Sequence, residues 1–158
     1  MSKHHSVIII GAGLSGLYIA WKLQQQEKDV ILLEARPRTG GRILSPQIHT
    51  HIDSRIDLGP AWVWPQFQPR LQALFSELEI DLFAQYTQGD MLYEQNSQNI
   101  QQHTGPSSHQ QSYRISGGAE KLTRALSSRL NNASIHLNTP VSAIDQTTLN
   151  IQATHKEQ

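Results

Sequence analysis

Residues 7–16 read VIIIGAGLSG, and a second apolar run, Val30–Leu33, ends at Glu34. The run Val7–Ile10 is short, continuous and β-branched, which suits a parallel strand buried on both faces. A Gly-x-Gly-x-x-Gly turn follows at once. Gly11 allows the tight turn out of the strand, Gly13 leaves room for a pyrophosphate beside the backbone, and Gly16 lets the next helix pack closely on the sheet. Phosphates at that turn meet a helix N-terminus, where unpaired N–H groups and the positive dipole end favour anions. Residues 14–23 continue as a helix with Leu17, Ala20, Trp21 and Leu23 available for packing, and the polar residues 24–29 end it. Glu34 stands about 20 residues beyond the glycines, where a carboxylate accepts both hydroxyls of an adenosine ribose. Three glycines at this spacing also occur in strand-to-helix corners that bind nothing. The strand, helix, strand and acid around them favour a dinucleotide.

A chain of 158 residues is the size of one ordinary domain and can bury a real core. Thirteen basic residues balance thirteen acidic ones, so no overall field argues for nucleic acid or an anionic membrane, and small-molecule chemistry is the default. With no cysteine, disulfides, thiolate metal sites and a thioether-linked flavin are excluded within this sequence, and a cytoplasmic location fits. The polar start MSKHHSV does not resemble a signal peptide, and the apolar runs are too short to span a bilayer.

After Glu34 comes the basic loop ARPRTGGR, residues 35–42. Gly40 and Gly41 permit close backbone approach, and Arg42 can fork onto a phosphate as Arg does better than Lys. Arg38 reads as a solvated loop residue. The pairing of GAGLSGL with LLEARPRTGGR resembles the N-terminal signature of the flavin-containing amine oxidase family, which includes monoamine and polyamine oxidases. A nicotinamide-binding Rossmann domain shares the first half of that signature and has no call for the second, so the resemblance implies FAD, with NAD as the alternative. The fold it implies is α/β, a Rossmann-like FAD/NAD(P)-binding fold with a parallel sheet and a small β-meander, lacking the C-terminal part of the family fold.

Further along, Asp57, Leu58, Gly59 and Trp62 are similar to the family segment that runs beneath the flavin ring. Gly59 would let backbone approach a flat ring and Trp62 could close one side of the pocket; Trp62 and Trp64 are equally readable as ordinary half-buried aromatics. His49 and His51 alternate without a carboxylate or third histidine at ligand spacing, so they read as surface residues. Residues 69–82 show Leu71, Leu74, Phe75 and Leu78 at helical spacing, running into a strand. Residues 81–83 and 91–93 read as short strands around the turn at Gly89 and Asp90. Residues 95–112 are polar without a hydrophobic period and read as a loop or mobile excursion. Residues 66–112 thus stand in the position of a reduced substrate-domain excursion within a single partial FAD-binding domain over 1–158. The double glycine Gly117-Gly118, similar to a family segment that leads back to the cofactor domain, precedes a helical pattern over 119–130 with Leu122, Ala125, Leu126 and Leu130 on one face. Packing is its expected reason. Residues 134–137, 140–144 and 148–153 read as three short strands. In the family a valine of a Thr-Pro-Val segment offers its backbone to adenine, and Val141 is the matching position; a plain core valine is the alternative.

The cofactor-binding candidates are therefore Gly11, Gly13, Leu14, Ser15, Gly16, Glu34, Ala35, Arg36, Gly40, Gly41, Arg42, Gly59, Pro60, Ala61, Trp62 and Val141. The family's amine-positioning aromatics and its lysine near the flavin belong to a part that this sequence does not match. No residue here is named as catalytic and none as a metal ligand. Ser15 lacks the Gly-x-Ser-x-Gly elbow, His103 and His109 sit in polar sequence with no motif, and nothing brings Asp53 and Asp57 together as acid and base. The resemblance implies hydride transfer from an amine C–N bond to FAD, with a small amine as substrate. A non-catalytic or truncated dinucleotide-binding module is the other reading, as is half of a split flavoenzyme completed by a C-terminal partner fragment.

Overall fold

The two apolar runs form adjacent parallel strands, Val7 opposite Val30 and Ile10 opposite Leu33, as their composition led us to expect. The structure is a computed structural model that describes residues 4–48, 55–105, 111–130 and 135–155; the readings placed on His49, His51, Asp53, His109 and Ser134 lie outside them. In chain order the elements are β1 (Val7–Ile10), α1 (Leu14–Gln24), β2 (Val30–Leu33), a 3-10 turn (Pro65–Phe67), α2 (Pro69–Glu77), β3 (Leu82–Ala84), β4 (Met91–Asn96), β5 (Asn99–His103), β6 (Tyr113–Ile115), α3 (Glu120–Ser127), β7 (Ile135–His136), β8 (Val141–Asp145) and β9 (Asn150–Ala153). The chain divides into two compact units, residues 1–60 with 117–158, and residues 61–116. The excursion expected over 66–112 falls within the second.

The first unit holds a three-stranded parallel sheet in the order β1-β2-β7, with Leu32 opposite Ile135. Its core joins Leu17, Ala20 and Trp21 of α1 to Val30, Leu32 and Leu33 of β2 and to Leu122 and Leu126 of α3. The helical spacing of these apolar residues puts one face of each helix inward. Strand β1 departs from expectation. It is half-buried, and Ile10 is 49% exposed, because among the described residues β1 has a neighbour on one edge only. Of the three short strands expected near the C-terminus, β7 joins the parallel sheet, and β8 and β9 form an antiparallel hairpin.

The turn of that hairpin is closed by Asp145. Its carboxylate accepts the Thr148 hydroxyl at 2.7 Å and the Thr147 N–H at 2.8 Å. The Thr148 hydroxyl and the Thr147 and Thr148 N–H groups hold its pKa below the ordinary aspartate value. A lowered folded-state pKa means that the turn's stabilisation is present above the unfolded value and is lost as pH falls through the folded one. The Thr147 and Thr148 amide resonances are expected to titrate below the usual aspartate range; titration at or above it would contradict the closed turn.

The second unit is small. Its buried apolar residues include Val63, the α2 residues Leu74 and Phe75, Leu78, Ile80, and Ile115 of the antiparallel pair β3-β6. The polar stretch read as a loop is in part a hairpin, which corrects that expectation: β4 runs to Asn96 and pairs with β5, every residue of both being exposed. A hairpin with two solvated faces needs no alternating apolar pattern, so periodicity could not find it. Its turn is set by side-chain amides, with the Gln98 N–H donating to Asn96 Oδ1 at 3.0 Å.

Candidate functional site

The turn out of β1 is fastened to β2 by the Gly11 N–H, which donates to the Leu33 carbonyl at 2.8 Å. The second glycine turn then lies directly on the first. The Gly40 N–H donates to the Ala12 carbonyl at 2.8 Å, and Gly13 and Gly40 form a parallel bridge. Two stretches 20-odd residues apart in sequence thus build one surface. It borders a cleft of about 1160 Å³, lined by Ile10 and the glycines of the first turn with Leu14 and Ser15, by Glu34, Ala35 and Arg36, by Gly40, Gly41, Arg42 and Ile43, and by Leu58, Gly59 and Pro60.

The glycines divide by what surrounds them. A Cβ on Gly16 would stand 2.0 Å from the Gly11 carbonyl oxygen, so its absence is what lets α1 start this close to the turn. A Cβ on Gly13 would meet no protein atom within 4 Å, although Gly13 lines the cleft. Its Cβ direction is open space on the cleft side. Helix α1 starts at Gly13 with no side-chain cap and no acidic residue in its first turn, so its leading N–H groups are available to an anion. Gly59 is different. A Cβ there would lie 2.2 Å from the Arg42 carbonyl oxygen, so the chain's own packing requires glycine at this position, which also lines the cleft.

Glu34 is buried, and its carboxylate is held by two backbone donors, Ala12 N–H to Oε2 at 2.8 Å and Arg36 N–H to Oε1 at 2.9 Å. Each oxygen keeps a second lone-pair site. The carboxylate is therefore fixed in orientation and still able to accept two hydroxyls. Arg38 is not the solvated residue expected. It donates to the carbonyls of Thr39 at 3.0 Å, Ile43 at 3.3 Å and Gly41 at 2.9 Å, which braces the second glycine turn from within. Arg36 adds a bond to the Gly41 carbonyl at 3.2 Å. Arg42 is exposed at the cleft, and its side chain makes no hydrogen bond among the described residues.

Of the other candidates, Ala61 and Trp62 belong to the second unit, where Trp62 is 46% exposed and packs edge-to-face with Trp64. Val141 is half-buried at the start of β8, two residues beyond Thr139, whose N–H donates to the Glu34 carbonyl at 2.8 Å. Sequence reading passed over the apolar lining residues Ile10 and Ile43, which stand beside glycines that it had marked, while Leu58 lies in the segment likened to the one beneath the flavin ring. Among the described residues no group of acidic, histidine or cysteine side chains could hold a metal ion, and no helix is long and apolar enough to cross a membrane.

Known proteins share this arrangement. A family profile described as "NAD(P)-binding Rossmann-like domain" matches residues 9–78. The probable flavin-containing monoamine oxidase A of Dictyostelium discoideum is 31% identical over 133 residues, covering 83% of this chain and 28% of that protein. Putrescine oxidase of Kocuria rosea is 34% identical over 87 residues, covering 55% of this chain and 17% of its own. Among solved structures, wild-type putrescine oxidase bound to putrescine superposes with a TM-score of 0.74 at 19% identity, over 87% of this chain and 51% of that one, a likeness of fold. The chain thus spans little more than a quarter of the length of the Dictyostelium relative. Sequence signature, sheet order and these likenesses agree: the chain is related to the flavin-containing amine oxidases and corresponds to their N-terminal, dinucleotide-binding portion.

Proposed function

We propose that the cleft binds FAD and that the chain is the cofactor-binding portion of an amine-oxidising flavoenzyme. The observation that carries this reading is the continuity of the cleft from Glu34 and the bare Gly13 past the second glycine turn to Arg42 and Pro60. A nicotinamide dinucleotide uses the first turn and the acid; a flavin dinucleotide also calls for the loop beyond them. The donor set suits the group: a carboxylate for the ribose, helix N–H groups for one phosphate and an arginine for the other. The chemistry supplied by bound FAD is two-electron oxidation, acceptance of a hydride from the carbon of a C–N bond. Glu34 and Arg42 bind and orient, and Ile10, Ile43 and Leu58 offer apolar contact.

Substitution of Arg42 tests the flavin reading. Arg42→Ala is expected to weaken FAD about 10- to 100-fold through loss of a charge-assisted phosphate contact, and to leave NAD within about threefold. Equal losses for both, or none for FAD, would remove Arg42 from the flavin site. Support for an amine as substrate comes from the relatives. A cytoplasmic place suits a chain with no cysteine. The outer edge of β1, with Ile10 exposed, favours a strand from a C-terminal fragment of the same family as partner.

A further inference from the structure

Helix α3 starts without a cap of its own, since Ala119 stands at the N-cap position. The cap comes from far away in sequence. Asp57 Oδ1 accepts the Ala119 N–H at 2.8 Å and the Ser45 hydroxyl at 2.6 Å, and Ser45 Oγ accepts the Glu120 N–H at 3.0 Å. Glu120 closes the ring by accepting the Ser45 N–H at 3.2 Å through Oε2, while Arg55 donates to the Ser45 carbonyl at 2.9 Å and stands 3.9 Å from Glu120. Ser45 is fully buried, and a Cβ on Gly118 would lie 2.8 Å from Ser45 Cβ, so the packing here has no slack.

This ring has a place in the fold that its role as a cap does not require. The backbone on which it acts is the far wall of the cleft. Residues 44–46 and 56–58 run side by side, with the Leu58 N–H donating to the Leu44 carbonyl at 2.9 Å and the Ile56 N–H to the Pro46 carbonyl at 3.2 Å. Arg42 and Ile43 lead into the first of these strips, and Leu58, Gly59 and Pro60 leave the second. Ser45 lies three residues from Arg42, and Asp57 one residue from Leu58. The opposite wall, at Glu34 and the first glycine turn, is held by other bonds, to β2 and to the Ala12 and Arg36 amides.

We propose that Asp57, acting with Ser45, is a positioning residue that fixes the Arg42 and Leu58–Pro60 wall on α3 and so selects FAD over shorter adenine nucleotides. The proposal rests on the flavin reading of the cleft. A carboxylate at this point accepts from a helix N–H and a buried hydroxyl together, and alanine accepts from neither. Loss of it loosens the Leu58–Pro60 strip and its hold on the strip after Ile43, while Arg38 still braces the second glycine turn and the adenosine end stays as it was.

The test is a pair of titrations on the full chain, with FAD and with ADP, and amide hydrogen exchange at Leu58. Asp57→Ala is expected to raise the FAD dissociation constant tenfold or more, to leave ADP within twofold, and to speed exchange of the Leu58 N–H while that of Gly11 stays protected. Asp57→Asn, which retains an oxygen acceptor, should restore FAD binding to within about threefold of the parent. Equal weakening of FAD and ADP would show a merely structural part, and no change in either would overturn the proposal outright. If Asp57→Ala does not fold, Ser45→Ala must show the same selective loss in milder form, and parallel loss of both ligands there overturns it. A parent chain that takes ADP and refuses FAD would sink the flavin reading instead. The exchange result would then still decide whether Asp57 holds the wall.

Discussion

Gly16→Ala is expected to destabilise the first unit by about 3 kcal/mol or more, above the usual cost of overpacking a well-filled site. Two effects oppose each other at this residue. Alanine favours a helix over glycine by about 1 kcal/mol, and Gly16 is in the first turn of α1. The added Cβ, however, would stand 2.0 Å from the Gly11 carbonyl oxygen and 3.3 Å from Ile9 Cγ2. Relief requires α1 to move off the sheet by more than an ångström, and Leu17 and Ala20, both fully buried, would leave their places with it. Sterics therefore win. Thermal unfolding should show Tm lower by about 6 °C or more, with ADP binding lost in parallel. A variant as stable as the parent would mean that helix and turn are not packed as described.

Glu34→Ala carries the second large effect, this time on binding. The carboxylate is fixed by the Ala12 and Arg36 amides, so it presents its remaining lone pairs to a ribose without reorganising. Two hydrogen bonds to a charged acceptor are together worth about 3 kcal/mol at the lower end, or about 100-fold in affinity. FAD and NAD should both weaken by at least that factor, since both carry an adenosine ribose. Glu34→Gln is expected to fall between, because its amide NH2 must face either a backbone N–H or a ribose hydroxyl. Isothermal titration of the three proteins checks the order. If Glu34→Ala binds within a few fold of the parent, Glu34 does not hold the ribose.

Much of the site was legible because its elements are local. The run VIII, three glycines and an acid at the end of the next strand specify a β-α-β corner by spacing alone, and the structure builds it with the expected partners, down to the close contact at Gly16. What depended on tertiary partners was not legible. Arg38 looked like a loop cation, because nothing in its neighbours tells that three carbonyls of the same turn will face it. Of the double glycine before α3, Gly118 is tightly packed, as expected, and both glycines also take positive φ; the acceptors that cap that helix, Asp57 and Ser45, are more than 60 residues away and had no local signal. Gly59 was marked for close approach of a ring; it lines the cleft, and its missing Cβ also makes room for the Arg42 carbonyl, a contact with no local signal. Of the hairpin β4-β5 only residues 91–93 were read as a strand, and those as a neighbour of 81–83; β5 and the true pairing escaped notice because both faces are wet.

Whether this cleft takes a flavin dinucleotide is read from the visible absorption spectrum of the purified chain after incubation with excess FAD and desalting. A retained flavin spectrum near one FAD per chain is expected, displaced by competing ADP and much reduced in Arg42→Ala. A folded chain that binds ADP or NAD and retains no FAD would contradict the flavin reading.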